Sequence, residues 1–321
     1  MADVSRSTVS RVLNGQPNVH PAVRQRVQQV IEETGYHPNV AARTLAMQRS
    51  WMLGLVIPRS VSNFFADPYF PRLTQGIAQA CNRYHYTLAL FLLSSKEDEE
   101  NIWPRISRKG LLDGILIQSG QLGDQLIDRL ADSNIPSVIA GRPFHVNGAN
   151  YIDVDNVAAA KRAVNHLIRL GHRRIGIISG MLLSTVSLDR LQGYQEALAE
   201  NGIPLDKNLV VEGDFTEFGG FAAMQRLLAF NPQAVFAASD IMAVGAARAI
   251  RLAGLSVPKD IALVGFDDLP IASYSDPTLT TIHQPISEFG FKAVELLIDL
   301  IDSRIFPPQH YIMETELVIR N

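Results

Sequence analysis

Two groups of side chains in this sequence have types and spacings that could do chemistry. Near the start, Arg6, Ser7, Thr8, Ser10, Arg11 and Asn14 crowd between positions 6 and 14. Guanidinium, hydroxyl and carboxamide groups on one short segment are the donors and acceptors that meet phosphates and base edges in a major groove. The second group is dispersed: Tyr69, Phe70, Gln118, Arg142, Arg190, Phe215, Ser239, Asp240 and Asp267. Each lies in a segment that follows a short apolar run. Aromatic rings can stack on the apolar faces of a sugar, while carboxylates and an arginine take its hydroxyl hydrogen bonds. Strand-end Asp and Ser residues also cap helices, a plainer role that suits Asp240 and Asp268 best and Asp267 and Arg190 least.

Signatures of other chemistries are missing. No strand-like run leads into G-x-G-x-x-G, and there is no P-loop, no G-x-S-x-G elbow and no H-E-x-x-H pair. His166 and His172 flank a helix end without ligand-like spacing. Cys81 is the only cysteine, which excludes an internal disulfide and any multi-cysteine metal site. It sits in the apolar stretch Gly76-Ile77-Ala78-Gln79-Ala80-Cys81 and reads as a small core residue. No cofactor or metal is expected. The dispersed carboxylates could do acid/base work in an enzyme acting on a sugar, but a binding role needs fewer assumptions.

The elements that must position these residues follow from the apolar pattern. From residue 51 onward, nine short runs recur: Met52 to Pro58, Tyr86 to Leu93, Gly114 to Gln118, Pro136 to Gly141, Ile175 to Gly180, Leu209 to Asp214, Ala234 to Ser239, Ile261 to Asp268 and Thr280 to Pro285. Amphipathic stretches separate them. Asn156 to Leu170, for example, places Val157, Ala160, Val164, Leu167 and Ile168 at helical spacing and ends at Gly171. Strand and helix in alternation predict parallel sheets. Roughly four strands on each side of residue 150 favour two similar doubly wound α/β lobes, with ligand held in a crevice beyond the strand ends. The expected lobes are 51–149 with about 283–308, and 150–282 with about 309–321.

The first fifty residues differ. Val9, Val12 and Leu13 fall on one face of a short helix from Ser7 to Gly15, leaving Arg6, Ser7, Ser10, Arg11 and Asn14 outward. A second helix is predicted over Pro21 to Thr34, with Val23, Val27, Val30 and Ile31 as its stripe and Gly35 after it. A small all-α headpiece (1–36) and a linker (37–50) therefore precede the two lobes. This segment carries six arginines against three carboxylates, net +3, whereas the other 271 residues hold 23 basic and 29 acidic groups. Such asymmetry suits a basic end that meets a polyanion. Apolar residues make up 47% and charged residues 19%, which excludes a disordered class. No apolar run approaches the ~20 residues of a membrane span, and no signal peptide is seen, so a cytoplasmic protein with no membrane partner is expected.

Val4-Ser5-Arg6-Ser7-Thr8-Val9-Ser10-Arg11-Val12-Leu13-Asn14-Gly15, followed by Gly35-Tyr36-His37-Pro38-Asn39-Val40-Ala41-Ala42-Arg43-Thr44-Leu45, resembles the headpiece of the LacI/GalR repressors. Downstream, Leu170-Gly171-His172-Arg173-Arg174-Ile175-Gly176, Arg190-Leu191-Gln192-Gly193-Tyr194, Ala238-Ser239-Asp240-Ile241-Met242-Ala243, Val264-Gly265-Phe266-Asp267-Asp268 and Thr280-Thr281-Ile282-His283-Gln284-Pro285 are similar to that family too. The resemblance implies a periplasmic-binding-protein-like sensor behind a helix-turn-helix, a homodimer on operator DNA, and a small effector, a sugar, between the lobes. It implies that Arg6, Ser7 and Arg11 lie nearest the bases. Asn39 to Met47 would be a hinge helix, with Asn39 and Arg43 at the DNA and Leu45 wedged into a minor-groove step. Arg190, Asp267 and Phe215 would hold the effector. One departure stands out. The family pattern opens with a further helix and an Ala-Gly-Val-Ser turn, where this sequence reads Met1-Ala2-Asp3-Val4-Ser5, with Asp3 in place of glycine. Either the start of the sequence is trimmed or misassigned, which is the favoured reading, or the chain binds DNA poorly and acts as a sugar-binding protein.

Overall fold

In the computed structural model the described residues are 2–13, 16–35, 49–108, 110–118, 122–123, 125–144, 148–306 and 308–320, with Arg6 and Leu13 described by backbone only. The chain forms two compact units, Met1–Ser50 and Trp51–Asn321.

The first unit contains α1 (Arg6–Leu13) and α2 (Pro21–Thr34), packed on one another through the buried Val12 and Val27. Ser5 starts α1: its Oγ accepts the Thr8 N–H at 3.1 Å, satisfying a donor that the first turn leaves free. Pro21 opens α2, where a missing N–H is harmless, and Gly35 closes it at φ 59° with its N–H on the Ile31 carbonyl. Asp3, which stands where the repressor pattern has glycine, adopts φ 48°, in the left-handed region that glycine occupies most easily. Residues 14–15 and 36–48, and with them Asn14, Asn39, Arg43 and Leu45, lie outside the described residues.

The second unit begins with β1 (Met52–Ile57), α3 (Val61–Ala66), α4 (Tyr69–Arg83), β2 (Thr87–Leu92), α5 (Lys96–Ile106), β3 (Gly114–Gln118), α6 (Gln125–Ala131), β4 (Ser137–Ala140) and β5 (Tyr151–Val154). It continues with α7 (Asn156–Arg169), β6 (Ile175–Ser179), α8 (Thr185–Glu200), β7 (Val210–Glu212), α9 (Glu217–Leu228), β8 (Ala234–Ala237), α10 (Asp240–Leu252), β9 (Ala262–Asp267), α11 (Pro270–Tyr274) and β10 (Thr280–His283). It ends with α12 (Ile286–Ile301), β11 (His310–Met313) and β12 (Glu316–Val318). Two six-stranded sheets result, ordered β2-β1-β3-β4-β5-β11 and β7-β6-β8-β9-β10-β12. The same doubly wound order is used twice, and the β10–β12 pair alone is antiparallel.

Continuous apolar runs make these strands because both faces of each sheet are covered. In β1, Leu53, Leu55 and Ile57 pack into the layer under α4 and α12, while Val56 points into the opposite layer with Ile106, Leu126 and Leu130. The second sheet is sandwiched likewise, between α7 and α8 on one side and α9 and α10 on the other.

Three crossovers join the lobes: Asp155, Gln284 with Pro285, and Glu314 with Thr315. The expected boundaries shift accordingly. Tyr151–Val154 pairs with β4 and β11, so the first lobe extends past residue 150, and His310–Met313 belongs to that sheet rather than to the second. These strands were unreadable because Asp153 interrupts one apolar run, and the other is an exposed edge strand of mixed polarity. Among the described residues no helix is long and apolar enough to cross a membrane, and no cluster of three metal-capable side chains occurs.

Candidate effector cleft

The C-terminal ends of the strands in both sheets face one cleft with about 690 Å³ of empty space, mouth included. The first lobe contributes Arg59, Asp67, Tyr69, Phe70, Gln118 and Asp153; the second contributes Ser184, Val186, Arg190, Phe215, Ser239 and Asp267. Asn156, Gln284 and Phe289, at or just beyond the crossovers, complete the wall.

Arg190 is the buried centre of the second lobe's wall. Only 4% exposed, it donates from Nε to Asn156 Oδ1 at 2.9 Å and from Nη1 to the Ala238 carbonyl at 2.5 Å. Its guanidinium lies 3.5 Å above the Phe266 ring, and Asp267 Oδ1 is 3.7 Å from Nη1. Asp267 in turn accepts from Gln284 Nε2 at 2.6 Å and has φ 115°, a conformation rarely held by a residue with a side chain. Burial drives its carboxyl well above the usual range, against the opposing pull of Arg190. Asn156 Nδ2 continues the chain of bonds to Asp153 Oδ1 at 3.1 Å. Asp153 also accepts from the Val154 and Arg142 N–H groups, yet burial still pushes it up to about 6.

The aromatic walls depend on backbone shape. Phe215, at φ 63°, lays its ring against Gly180, where an added Cβ would sit 2.0 Å from the ring's Cζ. Phe70 stacks edge-on with Tyr69 and is covered by the Arg59 guanidinium at 5.6 Å. The Tyr69 hydroxyl, the Gln118 amide and the Arg59 guanidinium make no hydrogen bond with the described residues, which leaves three polar tips for a ligand. By contrast, Ser239 Oγ is engaged with the Met242 N–H as the cap of α10, although the residue lines the cleft.

This arrangement has close counterparts among known proteins. The model of bacterial regulatory proteins of the LacI family matches residues 1–39, and that of a periplasmic binding protein-like domain matches residues 164–321. The HTH-type transcriptional regulator CelR of Thermobifida fusca is 38% identical over 324 residues, covering 100% of this chain and 95% of its own. The chain belongs to the LacI family of transcriptional regulators. Among solved structures, a CelR–cellobiose complex aligns with TM-score 0.82 at 36% identity, covering 99% of this chain and 96% of the other. A lac repressor dimer bound to operator and the anti-inducer ONPF aligns with TM-score 0.86 at 28% identity, covering 99% and 95%. The enzyme reading lapses with this membership, since the family comprises transcriptional regulators.

In this regulator, seven of the residues singled out from sequence converge on the cleft: Tyr69, Phe70, Gln118, Arg190, Phe215, Ser239 and Asp267. Two do not. Asp240 is fully buried behind the wall, accepting from the Leu269 N–H at 2.7 Å and the Thr281 hydroxyl at 2.6 Å; its position at the head of α10 aims the side chain toward β9 and β10. Arg142 turns its guanidinium away from the cleft onto Asp189. Arg59, Asp153, Asn156, Gln284 and Phe289 were not foreseen. Gln284 carried a signal, standing in the Thr-Thr-Ile-His-Gln-Pro motif one residue past a strand. In the headpiece, Ser7, Ser10 and Arg11 are exposed on α1 and Thr8 is half-buried. Ser5 Oγ holds the Ser7 and Thr8 hydroxyls at 2.7 and 2.9 Å.

Proposed function

We propose that this regulator is a cytoplasmic repressor that binds a pseudo-palindromic operator as a homodimer and releases or tightens its hold when a sugar enters the cleft. The observation that carries the ligand reading is the buried Arg190–Asp267 pair at the meeting point of both lobes, flanked by the rings of Phe70 and Phe215. A charged donor and acceptor fixed in a low-dielectric wall discriminate hydroxyl geometry, and the rings hold the apolar face of a pyranose. The CelR–cellobiose complex supports a sugar, and the operator-bound lac repressor dimer supports the assembly.

Contacts from both lobes make a ligand bind open and closed forms with different affinity, and only that difference can move the equilibrium that DNA senses. On the DNA side, Arg6, Ser7, Thr8, Ser10, Arg11 and Asn14 would read the major groove. Asn39, Arg43 and Leu45 would act from the hinge in the minor groove. Calorimetry with cellobiose and a panel of neutral mono- and disaccharides tests the ligand class. Saturable binding that Asp267→Ala weakens is expected; binding unaltered in folded Asp267→Ala and Arg190→Ala variants would place the site elsewhere.

A further inference from the structure

Two side chains that do not line the cleft tie its lobes together. Arg142 follows β4 in the first lobe, and Asp189 stands on α8 in the second. The guanidinium meets both carboxylate oxygens, Nη2 to Oδ1 at 2.6 Å and Nε to Oδ2 at 3.1 Å. Two further bonds cross beside it. The Thr185 hydroxyl donates to the Arg142 carbonyl at 2.6 Å, and the Leu122 N–H donates to the Leu183 carbonyl at 2.8 Å. Each end of the ion pair is also one step from a cleft wall charge. The Arg142 N–H holds Asp153 Oδ2 at 2.8 Å, and Asp189 immediately precedes Arg190 on α8.

We propose that Arg142 and Asp189 form a latch that holds the two lobes closed over the effector and sets Asp153 and Arg190 in position. They are positioning residues rather than ligand contacts, and the proposal rests on reading the cleft as the effector site. The physical case is one of counting states. The lobes are joined covalently by three crossovers, so every non-covalent bond across the cleft mouth is made in the closed form and lost on opening. Apparent ligand affinity scales with the fraction of molecules already closed. A bidentate guanidinium–carboxylate pair is the strongest of these ties. Its side chains are 34% and 12% exposed, so water can recover part of the interaction when the lobes part. That partial exposure makes the latch reversible, which a regulator needs. The carboxylate at 189 also fixes the partner by charge, so neutral replacements of either residue should open the cleft without touching its wall.

The test uses the full chain with spin labels on Glu97→Cys in α5 and Gln195→Cys in α8, both exposed, while the native Cys81 is buried. Without ligand, Arg142→Met and Asp189→Asn should each shift the interlobe distance distribution to longer values. Arg142→Lys, which keeps the charge and loses the fork, should give an intermediate shift. The double variant should open no further than either single one, because one interaction is lost in all three. With cellobiose as probe, affinity should fall by about tenfold, chiefly through faster dissociation. Distance distributions in folded variants that superpose on the unmodified protein would overturn the latch. Failure of the unmodified protein to bind cellobiose would contradict the ligand assignment alone, since the distance readout needs no ligand.

Discussion

Asp267 holds an energetically costly conformation and a costly charge at once: φ 115° and a buried carboxylate whose nearest cation, Arg190, is 3.7 Å away. Both costs fall at the point where a ligand would meet the second lobe. Replacing Asp267 by alanine should weaken sugar binding by about 1–3 kcal/mol, read by calorimetry, because a charged acceptor is lost and Arg190 is stranded. Gly180→Ala should have a comparable effect, since the new Cβ would displace the Phe215 ring from its seat and press on the Ser187 hydroxyl 2.5 Å away. Near-normal affinity in Gly180→Ala would show that this ring does not carry the ligand. Asp153 gives a pH signature. Burial raises it to about 6 in the folded state from 3.8, so its protonated form is favoured by folding. Its contribution to stability is full below about 3.8 and is lost as pH rises through 6. The stability difference between Asp153→Asn and the unmodified protein, from denaturant unfolding, should therefore shift in favour of the variant between pH 4 and pH 7. A difference that stays flat over that range would mean that Asp153 remains ionised throughout.

At the scale of elements, close helix approach sets the limits on sequence. Gly76 on α4 faces α12 so tightly that an added Cβ would stand 1.8 Å from the Ser287 carbonyl oxygen. Gly76→Val should lower the stability of the sensor by about 1–3 kcal/mol or more in denaturant unfolding, as backbone has to move apart. The nine apolar runs expected as strands are all strands, because a parallel sheet buried on both faces demands unbroken apolar sequence. Three strands escaped notice: β5, β11 and β12 are short, polar or at the edge, where burial leaves no pattern. The same difference explains the site. Tyr69, Gln118 and Arg190 were legible because strand ends in a doubly wound fold point at the crevice. Asp153 and Asn156 were hidden with the unread β5. Arg142 and Asp240 satisfied the strand-end rule in sequence, but their side chains point at Asp189 and at β9 with β10, a choice that packing makes and chain position does not.

For the whole molecule, the two units carry opposite charge: the first fifty residues have net +3 and the remainder is acidic. DNA affinity should fall steeply with added salt, with a slope that reports the phosphates contacted, while sugar affinity should barely change. A sugar affinity as salt-dependent as DNA binding would point to a charged ligand. Coupling between the units is the central claim, since neither a sugar site nor a basic headpiece alone makes a regulator. The most direct measurement selects duplexes from a randomised pool with the full chain, then follows binding of the recovered duplex by fluorescence anisotropy with and without saturating cellobiose. The recovered sites should be pseudo-palindromic, and a cellobiose concentration that just saturates the unmodified protein should change its DNA affinity at least about tenfold and that of Asp267→Ala much less. Sites without two-fold symmetry, or DNA affinity that cellobiose leaves unmoved while occupying the cleft, would contradict it.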